Sequence, residues 1–266
     1  MFSVGEAYDV FMGRWSARLA PRLVQFAAVV DGDEVLDVGS GTGSLAAAVA
    51  AAAPSSRIVG IDRSEAYVAV ARARHQSPRL RFEVGDAQRL PFPDASFDRT
   101  LSLLILNFVP DSQLALAEMI RVTRPGGTIA AAVWDYGEGM EMLRLFWSEA
   151  TALDAHADAK DERYMPLSRR GELATLWRAH HLQSVTDMPL TIETGFTGFA
   201  DYWSPFLQQQ GPAGAHVAAL SPDDRARLES MLRQRLLGDR SDGPITLRAR
   251  AWAVRGIVPT RGRRVP

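Results

Sequence analysis

The sequence predicts an α/β protein with a doubly wound, mostly parallel seven-stranded sheet, helices on both faces and a helical insertion before the last strand. Three observations predict it. Short apolar segments alternate with helix-forming segments from residue 34 to residue 135, a rhythm that puts parallel strands in the middle and helices outside. The first apolar segment, Val35, Leu36 and Val38, runs into a turn with glycine at alternate positions, Gly39, Gly41 and Gly43. Asp37, Asp62 and Asp86 stand near the ends of three successive apolar segments, and in an open parallel sheet a ligand lies outside the carboxyl ends of the strands.

Residues 1–33 precede the first strand. Ala7 to Trp15 is rich in large groups, among them Tyr8, and Leu19 to Val30 has amphipathic spacing. This segment is either a cover over the cleft or a packing helix at the sheet edge. Arg14 could meet a ligand carboxylate in a bidentate pair or remain a surface cation. After the glycine turn, Leu45 to Ala53 is a run of good helix formers. Ile58 to Asp62 is the second strand, and Ser64 is placed to cap a helix from Glu65 to His75. Leu80 to Ala87 alternates as the third strand, and Pro91 to Ser96 is a loop. Phe97 to Leu106 is nearly all apolar, as expected of a strand buried on both faces. Pro110, Asp111 and Ser112 open a helix that ends near Arg124 to Gly127. Thr128 to Trp134 is the fifth strand.

Beyond Trp134, Glu141 to His156 reads as a helix. Another opens at Ser168 and ends around His180 and His181, and Ser184 to Glu193 alternates as a strand. Residues 194–243 do not fit the alternation. They contain Phe196, Phe199, Tyr202, Trp203 and Phe206, and a helix capped by Ser221 and Pro222 that runs to Leu237. Ile245 to Val254 closes the sheet, and the basic tail Arg261 to Arg264 reads as a solvated terminus. The resulting division is an N-terminal helical cover over 1–33, an α/β core over 34–193, a helical insertion over 194–243, and a closing strand with its tail over 244–266.

The chain of 266 residues is 47% hydrophobic, carries a net charge of −1 and has no cysteine. It can bury a sizeable core. Nothing in its overall charge draws it to nucleic acid or to an anionic membrane, and it has neither disulfides nor thiolate metal sites. Met1 to Tyr8 shows no secretory leader. No apolar run approaches the roughly 20 residues that span a bilayer. A cytoplasmic protein is expected.

A glycine turn between a strand and a helix suits a nucleotide-like ligand, because backbone can approach it without a Cβ and the helix offers free N–H groups. A dinucleotide fingerprint needs its third glycine where this chain has Ser44. The segments VLDVGSGTGSLA, VGID ending at Asp62, VGDAQRLPFPDASFD from Val84 to Asp98 and RVTRPGGTIAAAVW from Arg121 to Trp134 together resemble the class I S-adenosylmethionine-dependent methyltransferases, of the small-molecule type related to the ubiquinone/menaquinone C-methyltransferases. The resemblance covers residues 34–135. It implies S-adenosylmethionine as cofactor. Gly39 and Gly41 would face its methionine part, Asp62 would hold the ribose hydroxyls, and Asp86 would accept from the adenine amino group beside the Ala87 N–H. Asn107 would lie near the transferred methyl, and Asp37, Ser40, Arg63 and Arg14 complete the implied cofactor set.

The acceptor is expected to be a small, apolar or aromatic molecule. A donor already activated by its positive charge asks the protein mainly for alignment, so no catalytic residue is assigned. His180 or His181 could act as a base, although charges at a helix end account for them equally well. Asp135 could be a base or a metal ligand, but no partner carboxylates stand at ligand spacing, and no metal is expected. Amine-methylating enzymes of DNA carry Asn-Pro-Pro-Tyr where this chain has Asn107-Phe108-Val109-Pro110, which disfavours a nucleic-acid acceptor. The aromatic cluster could wall a substrate or form the insertion's own core. A cofactor-binding protein without turnover and a nucleotide-dependent oxidoreductase remain as alternatives.

Overall fold

The apolar segments pair into a single sheet, as the alternation predicts. The computed structural model describes residues 13–209 and 211–260. Its strands are β1 (Glu34–Val38), β2 (Arg57–Asp62), β3 (Leu80–Val84), β4 (Phe97–Leu103), β5 (Thr123–Trp134), β6 (Gln183–Phe196) and β7 (Ile245–Ile257). They form one seven-stranded sheet in the order β3-β2-β1-β4-β5-β7-β6. The first five are parallel, and β7 runs antiparallel to both β5 and β6.

Side-chain alternation divides the core in two. Val35, Leu101, Ala130, Ala132 and Trp134 face one layer, while Leu36, Val38, Ile129, Ala131 and Val133 face the other. The first layer holds α1 (Arg14–Phe26), α2 (Ser44–Ala52), α3 (Glu65–Arg74) and α5 (Glu141–Leu153). The second holds α4 (Ser112–Val122) and α6 (Glu172–Ala179). Caps appear where the sequence placed them: Ser64 Oγ accepts from Tyr67 N at 3.3 Å, Asp111 Oδ1 from Leu114 N at 2.9 Å and Ser221 Oγ from Asp224 N at 3.1 Å.

Residues after β6 form α7 (Phe199–Trp203), a 3₁₀ turn, α8 (Gly211–Ala219) and α9 (Pro222–Leu237). The end of β5, Trp134, pairs with Ala251. The β6–β7 hairpin continues past it from Arg250 to Ile245, about 20 Å of strand at roughly 3.3 Å per residue. That extension carries the insertion to the carboxyl end of the parallel strands. Phe196, Phe199, Tyr202, Trp203 and Phe206 are all buried there. Phe206 stacks on Phe146 of α5 with centroids 4.5 Å apart, and Phe146 meets Trp147 edge-on at 5.0 Å. Glu162, whose carboxyl burial pushes up from its usual range, accepts from Trp147 Nε1 and from Ala213 N and so ties α5 to α8. The rings thus form the insertion's core rather than an open wall.

Several boundaries move from their expected places. The N-terminal helix begins at Arg14 and stops at Phe26, where Ala28 takes φ 52°. Tyr8 and the tail Arg261 to Arg264 lie outside the described residues. β4 stops at Leu103 instead of Leu106. Leu104 takes φ 66° and the chain folds into a 3₁₀ turn, Leu106–Phe108. β3 stops at Val84, because the next residues form a turn around Asp86, whose Oδ1 accepts from Gln88 N at 2.9 Å. α5 ends at Leu153, where Asp154 caps a 3₁₀ segment instead. β5 begins earlier, at Thr123, and β6 and β7 run longer than their alternation showed.

Candidate functional site

The site is built where β1 and β2 end. Gly39 N and Ser40 N both donate to Ile61 O, at 2.8 and 3.0 Å, so the glycine turn is pinned across β2. Asp62 then serves as a fixed point. Its Oδ2 accepts from Gly41 N and its Oδ1 from Ser64 N, each at 2.9 Å. Each oxygen keeps a lone pair for a further donor.

Two of the glycines answer to different causes. Gly39 has φ +78°, and a Cβ there would come within 2.2 Å of Ile105. Its role is to let the chain after β4 fold over the turn. Gly41 has φ +52°, and a Cβ there would meet nothing within 4 Å among the described residues beyond its chain neighbours. From the other side, His75 Nε2 donates to Thr42 O at 3.2 Å and steadies the turn.

The cleft has two lobes. Asp62, Arg63, Asp86, Ala87 and Gln88 line the first with Ile61 and Val109. Ser16, Asp37, Ser40, Gly41, Thr42, Tyr67 and Leu103 to Ile105 line the second. Gly39, Asp62, Ile105 and Phe108 line both. Buried polar atoms lie beside the second lobe without partners among the described residues. Asp37 is fully buried; its Oδ2 accepts from Ala46 N at 3.1 Å, and its Oδ1 has no partner. Ser40 Oγ is likewise buried and unpaired. Burial, helped by the nearby charge of Asp62, pushes the Asp37 carboxyl up to about 7. In the first lobe, the hydrogen bond from Gln88 N, with the Arg63 charge nearby, holds Asp86 below the usual carboxylate range.

Of the residues singled out in the sequence, Asp37, Gly39, Ser40, Gly41, Asp62, Arg63, Asp86 and Ala87 come together around this cleft. Arg14 and Asn107 do not line either lobe. Arg14 pairs with Asp201 of the insertion at 2.8 Å and lies over the rings of Trp15 and Phe196. Asn107 is buried in the 3₁₀ turn, and neither of its amide atoms has a partner among the described residues. Asp135 is held by Arg250 Nε at 2.7 Å and accepts from Glu138 N, so a loop tie occupies it. His180 and His181 precede Gln183, which pairs with Ile257 opposite Thr128. They sit at the amino ends of the strands, away from the cleft. Among the described residues no group of three His, Asp or Glu side chains gathers to hold a metal ion, and no helix is long and apolar enough to cross a membrane. Sequence reasoning missed Ser16, Tyr67, Ile105 and Phe108 as lining residues. Ser16 stands two positions after Arg14, and Ile105 and Phe108 flank the singled-out Asn107 within two positions.

Residues 36–131 match the family model described as a methyltransferase domain. An uncharacterized protein of Mycobacterium tuberculosis is 35% identical over 136 residues, which cover 50% of this chain and 48% of that protein. The ubiquinone/menaquinone biosynthesis C-methyltransferase of Paracoccus denitrificans is 41% identical over 137 residues, 47% of this chain and 54% of that enzyme. The chain thus spans about half the length of the curated relatives it matches. Among solved structures, phosphoethanolamine N-methyltransferase 2 of Haemonchus contortus in complex with S-adenosyl-L-methionine aligns with a TM-score of 0.58 at 18% identity. The alignment covers 96% of this chain and 56% of that one, and shows the shared fold. The resemblance to class I methyltransferases that the sequence implied is borne out.

Proposed function

We propose, from the methyltransferase domain that residues 36–131 carry, that this chain is an S-adenosylmethionine-dependent methyltransferase acting on a small, apolar or aromatic molecule. One observation carries the reading. The Asp62 carboxylate, held in place by Gly41 N and Ser64 N, stands at the junction of a lobe containing Asp86 and a lobe containing Asp37. The residues present fit the cofactor. Asp86 and Ala87 suit an adenine edge, Asp62 a ribose diol, and the unpaired Asp37 Oδ1 and Ser40 Oγ the polar groups of an amino acid. Bound S-adenosylmethionine supplies a methyl group made electrophilic by a sulfonium. The chain supplies alignment for in-line transfer and exclusion of water.

The N-terminal segment and the insertion 194–243 are the acceptor lid in this reading. The β6–β7 extension brings the insertion to the cleft end, and Arg14–Asp201 and the Trp15–Phe196 contact at 5.4 Å join it to α1. Leu45, Leu103, Leu104 and Ile105 give the second lobe an apolar wall, which suits an acceptor of the quinone-ring kind that the Paracoccus relative's name indicates. A cytoplasmic setting accords with a chain free of cysteine. The test is calorimetric titration with S-adenosylmethionine, its demethylated product and NAD, followed by mass-spectrometric screening of a metabolite extract for gain of one methyl. Binding of NAD without S-adenosylmethionine would overturn the reading.

Asp62→Ala is expected to weaken S-adenosylmethionine binding by about 1.5–3 kcal/mol, because desolvated ribose hydroxyls lose a charged acceptor. Unchanged affinity in the same titration would remove Asp62 from the site.

Asp37 brings a pH dependence whose sign follows from its environment. Its folded pKa, about 7, lies above the ordinary 3.8. The ligand-free fold is therefore favoured while the group is protonated, and loses that contribution as pH rises from about 4 through 7. The full difference corresponds to roughly 4 kcal/mol. An ammonium group prefers the ionised form, so cofactor affinity should rise across the upper part of the same window. Asp37→Asn should flatten both trends in thermal melts and titrations run from pH 5 to 8. Parallel pH profiles for wild type and variant would contradict this.

A further inference from the structure

Phe108 occupies an unusual position for a large apolar ring. Its neighbours on the 3₁₀ turn, Leu106 and Asn107, are 1% and 4% exposed, whereas Phe108 is 55% exposed. The turn is rigidly rooted, with Phe108 N donating to Ile105 O at 2.8 Å. Of the four residues that line both lobes, Gly39, Asp62, Ile105 and Phe108, only Phe108 is aromatic. The fold therefore holds one ring at the mouth of the junction without burying it in the core.

We propose that Phe108 presents its ring to the sulfonium of bound S-adenosylmethionine and so distinguishes the charged methyl donor from its neutral thioether product. The inference rests on the cofactor reading above. If the nucleoside occupies the lobe of Asp86 and the amino acid the lobe of Asp37, the atom that joins them belongs at the junction, and that atom is the sulfur. A sulfonium has no N–H or O–H to donate, so no conventional hydrogen bond reads its charge and only weak C–H···O contacts are open to it. An aromatic face can read it, because the ring quadrupole attracts cations that carry no such donors. Once the methyl group has left and the electron pair has stayed on sulfur, the charge and the attraction are both gone. Discrimination of this kind weakens retention of the product.

The experiment is calorimetric titration of wild type, Phe108→Leu and Phe108→Trp with S-adenosylmethionine and, separately, with S-adenosylhomocysteine. Phe108→Leu keeps an apolar side chain at an exposed position and leaves Asp62 in place. It is expected to weaken S-adenosylmethionine about five-fold, the scale of a partly solvated cation–π contact, and the thioether less than about two-fold. Phe108→Trp should keep the wild-type preference. If Phe108→Leu weakens both ligands by the same factor or leaves both unchanged, or if Phe108→Trp loses the preference as Leu does, the ring is only an apolar wall. The inference is then overturned while the cofactor reading stands. Wild type binding neither ligand overturns the cofactor reading and the inference with it.

Discussion

Gly41→Val is expected to reduce S-adenosylmethionine binding by more than about 100-fold, a loss of roughly 3 kcal/mol. Gly41 lines the second lobe, and apart from its chain neighbours no atom of the described residues lies within 4 Å of the position its Cβ would take. A valine side chain can be placed there only by filling the space the ligand needs. The backbone adds a second effect. With φ +52°, a branched side chain brings strain of about 1–3 kcal/mol, and the N–H that Asp62 holds at 2.9 Å is pulled with it. Gly32 separates the two effects. It also has positive φ, +93°, and an open Cβ position, but it lies before β1, at the opposite end of the strand from the cleft. Gly32→Val should lower thermal stability comparably and leave cofactor affinity unchanged. A folded Gly41→Val protein that binds normally would place the ligand elsewhere.

Phe146→Ala should cost about 3–5 kcal/mol of stability. The ring is fully buried, stacked on Phe206 at 4.5 Å and in edge contact with Trp147 and His216. It joins α5 to the insertion, so the loss concentrates where the insertion meets the sheet. At roughly 2–4 °C per kcal/mol for a chain of this size, the melting midpoint should fall by about 10 °C. Because Phe146 lines neither lobe, cofactor affinity should change little below the transition. A shift under about 3 °C would mean that the neighbouring rings close over the cavity. Loss of cofactor binding in the folded variant would show that the insertion shapes both lobes.

The parts of the site that lie close together along the chain were legible in the sequence. Asp37, Gly39, Ser40 and Gly41 form one strand and its turn, and Asp62 and Asp86 close the next two strands. The alternation of apolar and helical segments makes those strands parallel, and the local pattern puts each acid near a carboxyl end. The fold class follows from the same short-range signals. Even the last two strands and the capped helix from Pro222 to Leu237 can be read from alternation and from Ser221.

What only the tertiary structure decided depends on partners far apart in sequence. The strand from Phe97 continues on paper to Leu106, yet it stops at Leu103 and folds inward, with Ile105 packed where Gly39 has no Cβ. Arg14 is claimed by Asp201 and Asp135 by Arg250. The aromatic cluster proved to be core because α5 supplies Phe146 and Trp147 to close it. His180 and His181 fell at the far end of the sheet because β6 starts there. Local propensity and periodicity act over a few residues and so are written in the sequence itself. Burial of a ring, or the choice of a partner for a charge, depends on which distant segments the folded sheet brings within a few ångströms.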